Sequence, residues 1–178
     1  MSLRSLFHLA LWIMAIACLA SPAQAHFVWI ETEPADAGLL VRSGFGEPAG
    51  WDPDLIDRMH AAQFWRQGAA QLVPLKLKLD DQEREYRGLI DAGQAGAVVG
   101  SCDFGVIQFG SNPPSWLRYT AKSLLGAPRD WPRQPAGAEL RIELLATMEQ
   151  GKVRLQASHL GKPLAQAQIK CTSPQGEK

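Results

Sequence analysis

The sequence predicts a mainly β protein, an antiparallel β-sandwich with one inserted helix followed by a partial second β unit. Three observations carry this prediction. Short apolar or alternating runs recur along the chain and are bounded by Gly, Pro, Asn and Asp. Leucines and lysines alternate over residues 75–79, as in a strand with one buried and one wet face. A single helix-start signal stands at Asp52-Pro53.

The first unit, residues 26–127, contains most of the strand signals. Its predicted strands cover residues 27–31, 38–42, 72–79, 85–90, 104–109 and 117–121. Their spacing and turn residues are typical of a sandwich.

The inserted helix is predicted near residues 52–65. Asp52 suits the N-cap and Pro53 suits the first helical position, where its missing N–H is not needed. Ile56 and Met59 then share one face.

The second unit is short. Residues 128–138 contain three prolines and no periodicity, which predicts a linker. Strands are predicted over residues 139–145, 152–158 and 165–172, with a turn at Gly161-Lys162-Pro163. Three strands do not close a sandwich, so the unit over residues 139–178 must dock on the first unit, pair with another chain, or be part of a larger domain. Its polar ending favours truncation or divergence.

Residues 1–25 have the pattern of a secretory signal peptide. Arg4 precedes an apolar stretch over residues 6–20, and Ala23-Gln24-Ala25 supplies a small-x-small cleavage site. No second run long enough to span a membrane follows. We therefore expect a periplasmic or otherwise exported protein that is soluble after cleavage and is not an integral membrane protein.

Composition excludes several classes of function. Apolar residues make up 46% of the 178 residues and charged residues 20%, which disfavours disorder. Eighteen basic residues balance eighteen acidic ones, so no positive field would attract a nucleic acid.

Two cysteines follow the signal peptide, Cys102 and Cys171. An even number in an oxidising compartment suggests a disulfide, and two separate buried thiols are the alternative. Cys18 lies within the signal peptide, where lipid anchoring is the less favoured alternative.

Several segments together resemble exported proteins of the domain-of-unknown-function 4198 family. The segments are His26-Phe27-Val28-Trp29-Ile30, Phe45-Gly46-Glu47, the stretch over residues 52–58, the run over residues 98–106 and Leu117-Arg118-Tyr119-Thr120-Ala121-Lys122. The C-terminal part, with Gly161-Lys162-Pro163-Leu164, resembles an immunoglobulin-like or carboxypeptidase-regulatory-like sandwich. The resemblance implies a periplasmic component of nickel or cobalt uptake that would hand its ion to a membrane transporter component.

Three histidines follow the signal peptide and are the candidate metal ligands. Cleavage after Ala25 would make His26 the first residue, whose α-amine and imidazole could chelate one ion. His60 or His159 would supply a further imidazole. Ni(II) and Cu(II) favour such nitrogen-rich sites, and the resemblance adds Co(II). Each histidine also has a structural interpretation, at the start of a strand, at the edge of the core, or beside a turn.

We predict no enzymatic activity. The sequence lacks a GxSxG elbow, an HExxH helix motif and a phosphate-binding glycine loop. The alternative to metal capture is an exported β-sandwich that binds a protein or an envelope glycan without metal. Trp51 and Trp131, in proline-containing loops, would serve such binding or else close the ends of the core.

Overall fold

The structure is a computed structural model. It describes residues 27–47, 50–68, 71–93, 95–108, 110–137, 139–173 and 176–177. Most of these residues lie in antiparallel strands, which confirms the mainly β prediction. The predicted signal peptide lies outside the described residues.

The strands are β1 (Phe27–Ala35), β2 (Gly38–Glu47), β3 (Gly50–Trp51), β4 (Gln63–Gln67), β5 (Leu72–Leu75), β6 (Lys78–Asp80), β7 (Glu85–Ile90), β8 (Gly96–Ile107), β9 (Ser115–Leu125), β10 (Ile142–Glu149), β11 (Lys152–His159), β12 (Lys162–Pro163), β13 (Thr172–Ser173) and β14 (Gly176–Glu177). Short 3₁₀ helices cover Pro53–Met59 and Pro128–Asp130.

The first unit consists of two antiparallel sheets. One has the order β1-β2-β7-β6, with β3 beside β2, and the other has the order β5-β4-β8-β9. Strand β1 of the first sheet lies beside β8 and β9 of the second. The chain passes between the sheets at Lys76 and Leu77, so the predicted strand over residues 72–79 is divided into β5 and β6. Its leucines still point into the core, as the alternation predicts.

The core is aromatic at one end. The ring of Phe45 stacks on that of Phe104 at 4.7 Å between centroids, and Tyr119 meets both rings edge-on. Such pairs each contribute about 0.5–1.5 kcal/mol beyond the burial of their area. The remaining buried members of this core cluster are Val28, Ile56, Met59, Phe64, Cys102 and Ala121.

The predicted helix near residues 52–65 begins where expected. Asp52 is the N-cap, and its Oδ1 accepts a hydrogen bond from the N–H of Asp54 at 3.1 Å. Pro53 occupies the first turn. Ile56 and Met59 are buried against the core, as their shared face predicts.

The predicted end of that helix, near residue 65, is wrong. The helix is of the 3₁₀ type and stops at Met59, and the chain enters β4 at Gln63. Phe64 pairs with Gly100 of β8 and with Leu75 of β5, so β4 is an interior strand. Pairing on both sides, together with the aromatic residues Phe64 and Trp65, outweighs the helical spacing of this segment.

Two glycines fit positions that no other residue could occupy. Gly38 begins β2 with φ +146° and Gly96 begins β8 with φ +119°. A Cβ on Gly38 would overlap the carbonyl group of Ile90, and one on Gly96 would overlap that of Gln67. Each glycine therefore lets two strand ends meet in close contact.

The second unit is a three-stranded sheet in the order β10-β11-β12 with the small hairpin β13–β14. The predicted strand over residues 165–172 is wrong, because most of this segment has no regular pairing and β13 begins only at Thr172. The predicted turn at residues 161–163 is formed by Leu160 and Gly161, whose φ angles are +51° and +75°, and Lys162–Pro163 already pairs with β11.

The segment predicted as a linker packs on the first unit. The carbonyl of Gln134 accepts a hydrogen bond from Gln67 Nε2 at 3.2 Å. Leu140 is buried. The second unit therefore contacts the first, which is one of the alternatives open for it. Within the described residues, no helix has the length and apolar character needed to cross a membrane.

Candidate binding groove between β9 and the C-terminal hairpin

A groove of about 750 Å³ separates β9 from the hairpin formed by β10 and β11. Alternate residues of β9 form one wall, since side chains at every second position share a face of a strand. These residues are Trp116, Arg118, Thr120, Lys122 and Leu124. The opposite wall comes from β10 and β11. The volume of the groove lies within the range of ordinary ligand sites, about 300–1,000 Å³.

The opposite wall is an apolar sheet face. Gln150 and Gly151 both have positive φ, which makes the tight two-residue turn that fixes the β10–β11 register. Because side chains alternate, one face of the hairpin collects nearly all its apolar residues. We call this the hairpin face, and it consists of Ile142, Leu144, Ala146, Met148, Val153, Leu155, Ala157 and, at its end, His159. The part of it that lines the groove is formed by Ile142, Leu144, Ala146, Leu155 and His159.

The hairpin face is largely uncovered. Ile142 is 55% exposed and Val153 52% exposed, and Leu144 and Met148 are also exposed. On the β9 side, Trp116 is 65% exposed. Apolar surface concentrated in this way on a protein marks a binding site more often than scattered single residues do.

An ion pair lies beside the exposed Trp116 of the groove. Asp103 accepts two hydrogen bonds from the guanidinium of Arg118 and one at 3.2 Å from Trp116 Nε1. The bonds from Arg118 are the main reason that the pKa of Asp103 is lowered. This network fixes the orientation of the exposed indole ring.

A second ion pair joins the two units. Glu143 of β10 accepts a hydrogen bond from Lys122 Nζ at 2.6 Å and another from the backbone N–H of Ala136 at 2.6 Å. Gln67 Nε2 lies 3.3 Å from the same carboxylate. Burial lowers the pKa of Lys122, and its bond to Glu143 acts in the opposite direction.

The groove carries one net positive charge. Three cations, Lys122, Arg118 and Arg141, contribute to it, against the two carboxylates of Glu143 and Asp103. Arg141 is exposed and forms no salt bridge among the described residues, although the Asp103 carboxylate interacts with it electrostatically. It is thus the cation available to a ligand.

The predicted metal ligands do not form one centre in the described part of the chain. His26 lies outside the described residues. His60 is exposed after the first 3₁₀ helix, with Nδ1 3.1 Å from the carbonyl oxygen of Asp57. His159 lines the groove at the end of β11. Within the described ranges, no three His, Cys, Asp or Glu residues come together as a metal-binding group.

The structure does not contain the predicted disulfide. Cys102 and Cys171 are both free thiols. Cys102 is fully buried within the core cluster, whereas Cys171 is exposed near the C-terminus. The alternative of two separate thiols is observed, although only Cys102 is buried.

The tryptophan that lines the groove is neither of the two that the sequence suggested for binding. The side chain of Trp51 lies outside the described residues, and Trp131 is only partly exposed. Among the tryptophans whose side chains are described, the exposed indole is that of Trp116 on β9. Alternation over residues 142–148 would have indicated an apolar face, but not that the face is uncovered.

Comparison with protein-family models, with curated proteins and with solved structures found no match to this chain.

Proposed function

We propose that this protein is an exported, non-catalytic interaction module that binds a partner protein in the groove between β9 and the C-terminal hairpin. The observation that carries the proposal is the uncovered hairpin face opposite the exposed Trp116. Tryptophan and arginine are the residues that most often dominate binding energy in protein interfaces, and Trp116, Arg118 and Arg141 surround this groove.

Export is supported by the signal-peptide pattern of residues 1–25. The non-catalytic assignment is supported by the absence of catalytic motifs from the sequence. A protein partner is favoured over an envelope glycan because the hairpin side of the groove consists mainly of aliphatic side chains, whereas sugar-binding sites rely on aromatic stacking and polar groups.

Photo-crosslinking in cells tests this proposal. A benzophenone amino acid placed at Trp116 should yield a discrete adduct with one envelope protein. The matched control places the same group at Leu89 of β7, which is 56% exposed and distant in the fold. The partner identified at position 116 should then bind the purified protein in calorimetry, and Ile142→Asp should weaken that binding about tenfold, or 1.4 kcal/mol.

The outcome that rejects the proposal is equally specific. Identical adducts at positions 116 and 89, or a purified partner whose affinity Ile142→Asp leaves unchanged, would show that the groove is not a protein-binding site. If envelope polysaccharide fragments bind with an affinity that depends on Trp116, the ligand of the groove is a glycan and not a protein.

Metal capture is a second candidate, favoured by the geometry of His60. A histidine that donates Nδ1–H to a backbone carbonyl, as His60 can to Asp57, presents its Nε2 lone pair for coordination. In this candidate His26 would chelate Ni(II), Co(II) or Cu(II) through its amine and imidazole, with His60 or His159 as further ligand. A membrane transporter component would receive the ion.

A further inference from the structure

We infer that the occupant of the groove is an extended peptide segment with alternating apolar side chains and an acidic residue, added as a strand along β10. This inference rests on the proposed function and specifies its ligand. It follows from the hydrogen-bonding pattern of β10, from the size of the hairpin face and from the charge of Arg141.

The hydrogen-bonding pattern leaves one edge of β10 without a neighbouring strand. Leu160 N–H donates to the carbonyl of Arg141 at 2.8 Å, so Arg141 and Leu160 form a hydrogen-bonded pair. In an antiparallel pair such residues alternate with residues whose main-chain groups point away. The N–H and C=O groups that point away from β11 therefore belong to Ile142, Leu144, Ala146 and Met148.

Three of these residues, Ile142, Leu144 and Ala146, also line the groove. Among the described strands, β10 ends its sheet, and the groove lies between it and β9. A peptide along this edge would gain main-chain hydrogen bonds and could place every second side chain on the hairpin face. Both features are characteristic of binding by strand addition.

The size of the face argues against a second copy as the occupant. Two paired strands of eight residues cover about 26 Å by about 10 Å, or roughly 260 Å². Each partner in a standard protein interface buries about 800 Å². A single strand needs no such area, because its main-chain bonds add to the contact.

The charge of the groove favours a peptide with an acidic side chain. Arg141 immediately precedes β10 and forms no salt bridge within the described residues, although Asp103 interacts with it electrostatically. Arg118 lies across the groove. An acidic side chain in the peptide would compensate the net positive charge, whereas a basic one would be repelled.

The experiment uses a synthetic hexapeptide of alternating valine and threonine with one glutamate, titrated to millimolar concentration and followed by NMR. Binding should slow amide exchange at Leu144, Ala146 and Met148 relative to Glu143 and Leu145, whose amides already face β11. Two peptides N-methylated on opposite edges provide matched probes, since only one of them should lose binding. Replacing the glutamate by lysine should weaken binding about tenfold at low salt.

Each result is decisive. No shift at millimolar peptide, or equal binding by both N-methylated peptides without new amide protection, overturns strand addition. If both N-methylated peptides bind equally without new amide protection, a partner crosslinked at position 116 would still support the groove as an interaction site. If no partner is crosslinked while the peptide adds to β10, the proposed cellular function fails and the strand-addition edge stands.

Discussion

Lys122 and Glu143 form a buried ion pair that joins the two units of the protein. Lys122 Nζ lies 2.6 Å from Glu143 Oε1, and the two side chains are only 10% and 1% exposed. Lys122 comes from β9 and Glu143 from β10, on opposite sides of the proline-containing segment. The pair thus fixes the floor of the groove.

Removing one partner of this pair should destabilise the protein strongly. We expect Lys122→Met to lower the free energy of unfolding by about 3–5 kcal/mol, because it leaves the Glu143 carboxylate buried without its cation. Denaturant unfolding would measure this. The control is Arg154→Met, which removes the exposed pair with Glu149 and should cost less than about 1 kcal/mol. Equal effects of the two substitutions would contradict the buried pair.

The Asp103–Arg118 pair should make stability depend on pH in the acid range. The folded pKa of Asp103 is lowered from 3.8, chiefly by its hydrogen bonds with Arg118. Its contribution is therefore complete above the unfolded pKa and is lost as pH falls through the folded pKa. Asp103→Asn should be less stable than the native protein at pH 7, and the two should converge in strong acid.

Unfolding curves measured between pH 7 and pH 2 test this prediction. Trp116 fluorescence should change in the same variant, because its Nε1 loses a carboxylate acceptor. A stability difference that stays constant over the whole pH range would exclude an ionic contribution from Asp103.

The two thiols should react at very different rates. Burial raises the pKa of the Cys102 thiol to about 11, whereas Cys171 is exposed. Since the thiolate is the nucleophile, iodoacetamide at pH 8 should modify Cys171 within minutes and Cys102 only after unfolding. Peptide mass spectrometry would locate the label. Protection of both thiols, released together by a reductant, would instead support a disulfide.

Metal capture by the chain terminus predicts pH-dependent binding. Protein that begins at His26 should take up nickel, cobalt or copper during equilibrium dialysis, and affinity should fall steeply between about pH 7 and pH 5, because amine and imidazole must both lose protons. His26→Ala should bind less, and so should protein with one alanine placed before His26. If both variants bind as well as the native form, the terminal chelate is wrong.

Sequence pattern predicted most of the sandwich because alternation reports which side chains share a face. Leu75, Leu77 and Leu79 lie against the core as their spacing requires. Alternation does not predict which strands pair with each other. It missed β4 and the first half of β8, where Phe64 meets Gly100 through contacts between segments far apart in the chain.

The groove was largely beyond prediction for the same reason. Asp103 and Arg118 are 15 residues apart, and Lys122 and Glu143 are 21 apart, so only the folded chain brings each pair together. Of the two candidate metal ligands that the structure describes, His159 lines the groove and His60 does not.

Gly38 and Gly96 have a consequence for how this protein tolerates mutation. In a saturation library scored for folded protein, these two positions should accept almost no replacement, since even alanine would force the carbonyl of Ile90 or Gln67 aside and displace a whole strand. Gly105 has a positive φ as well, but a Cβ there would meet open space. Alanine at Gly105 would strain the backbone, since φ there is +98°, but it would meet no neighbouring atom. It should therefore reduce the amount of folded protein less than alanine at Gly38 or Gly96, and the library would separate the cost of a steric clash from the cost of a strained φ.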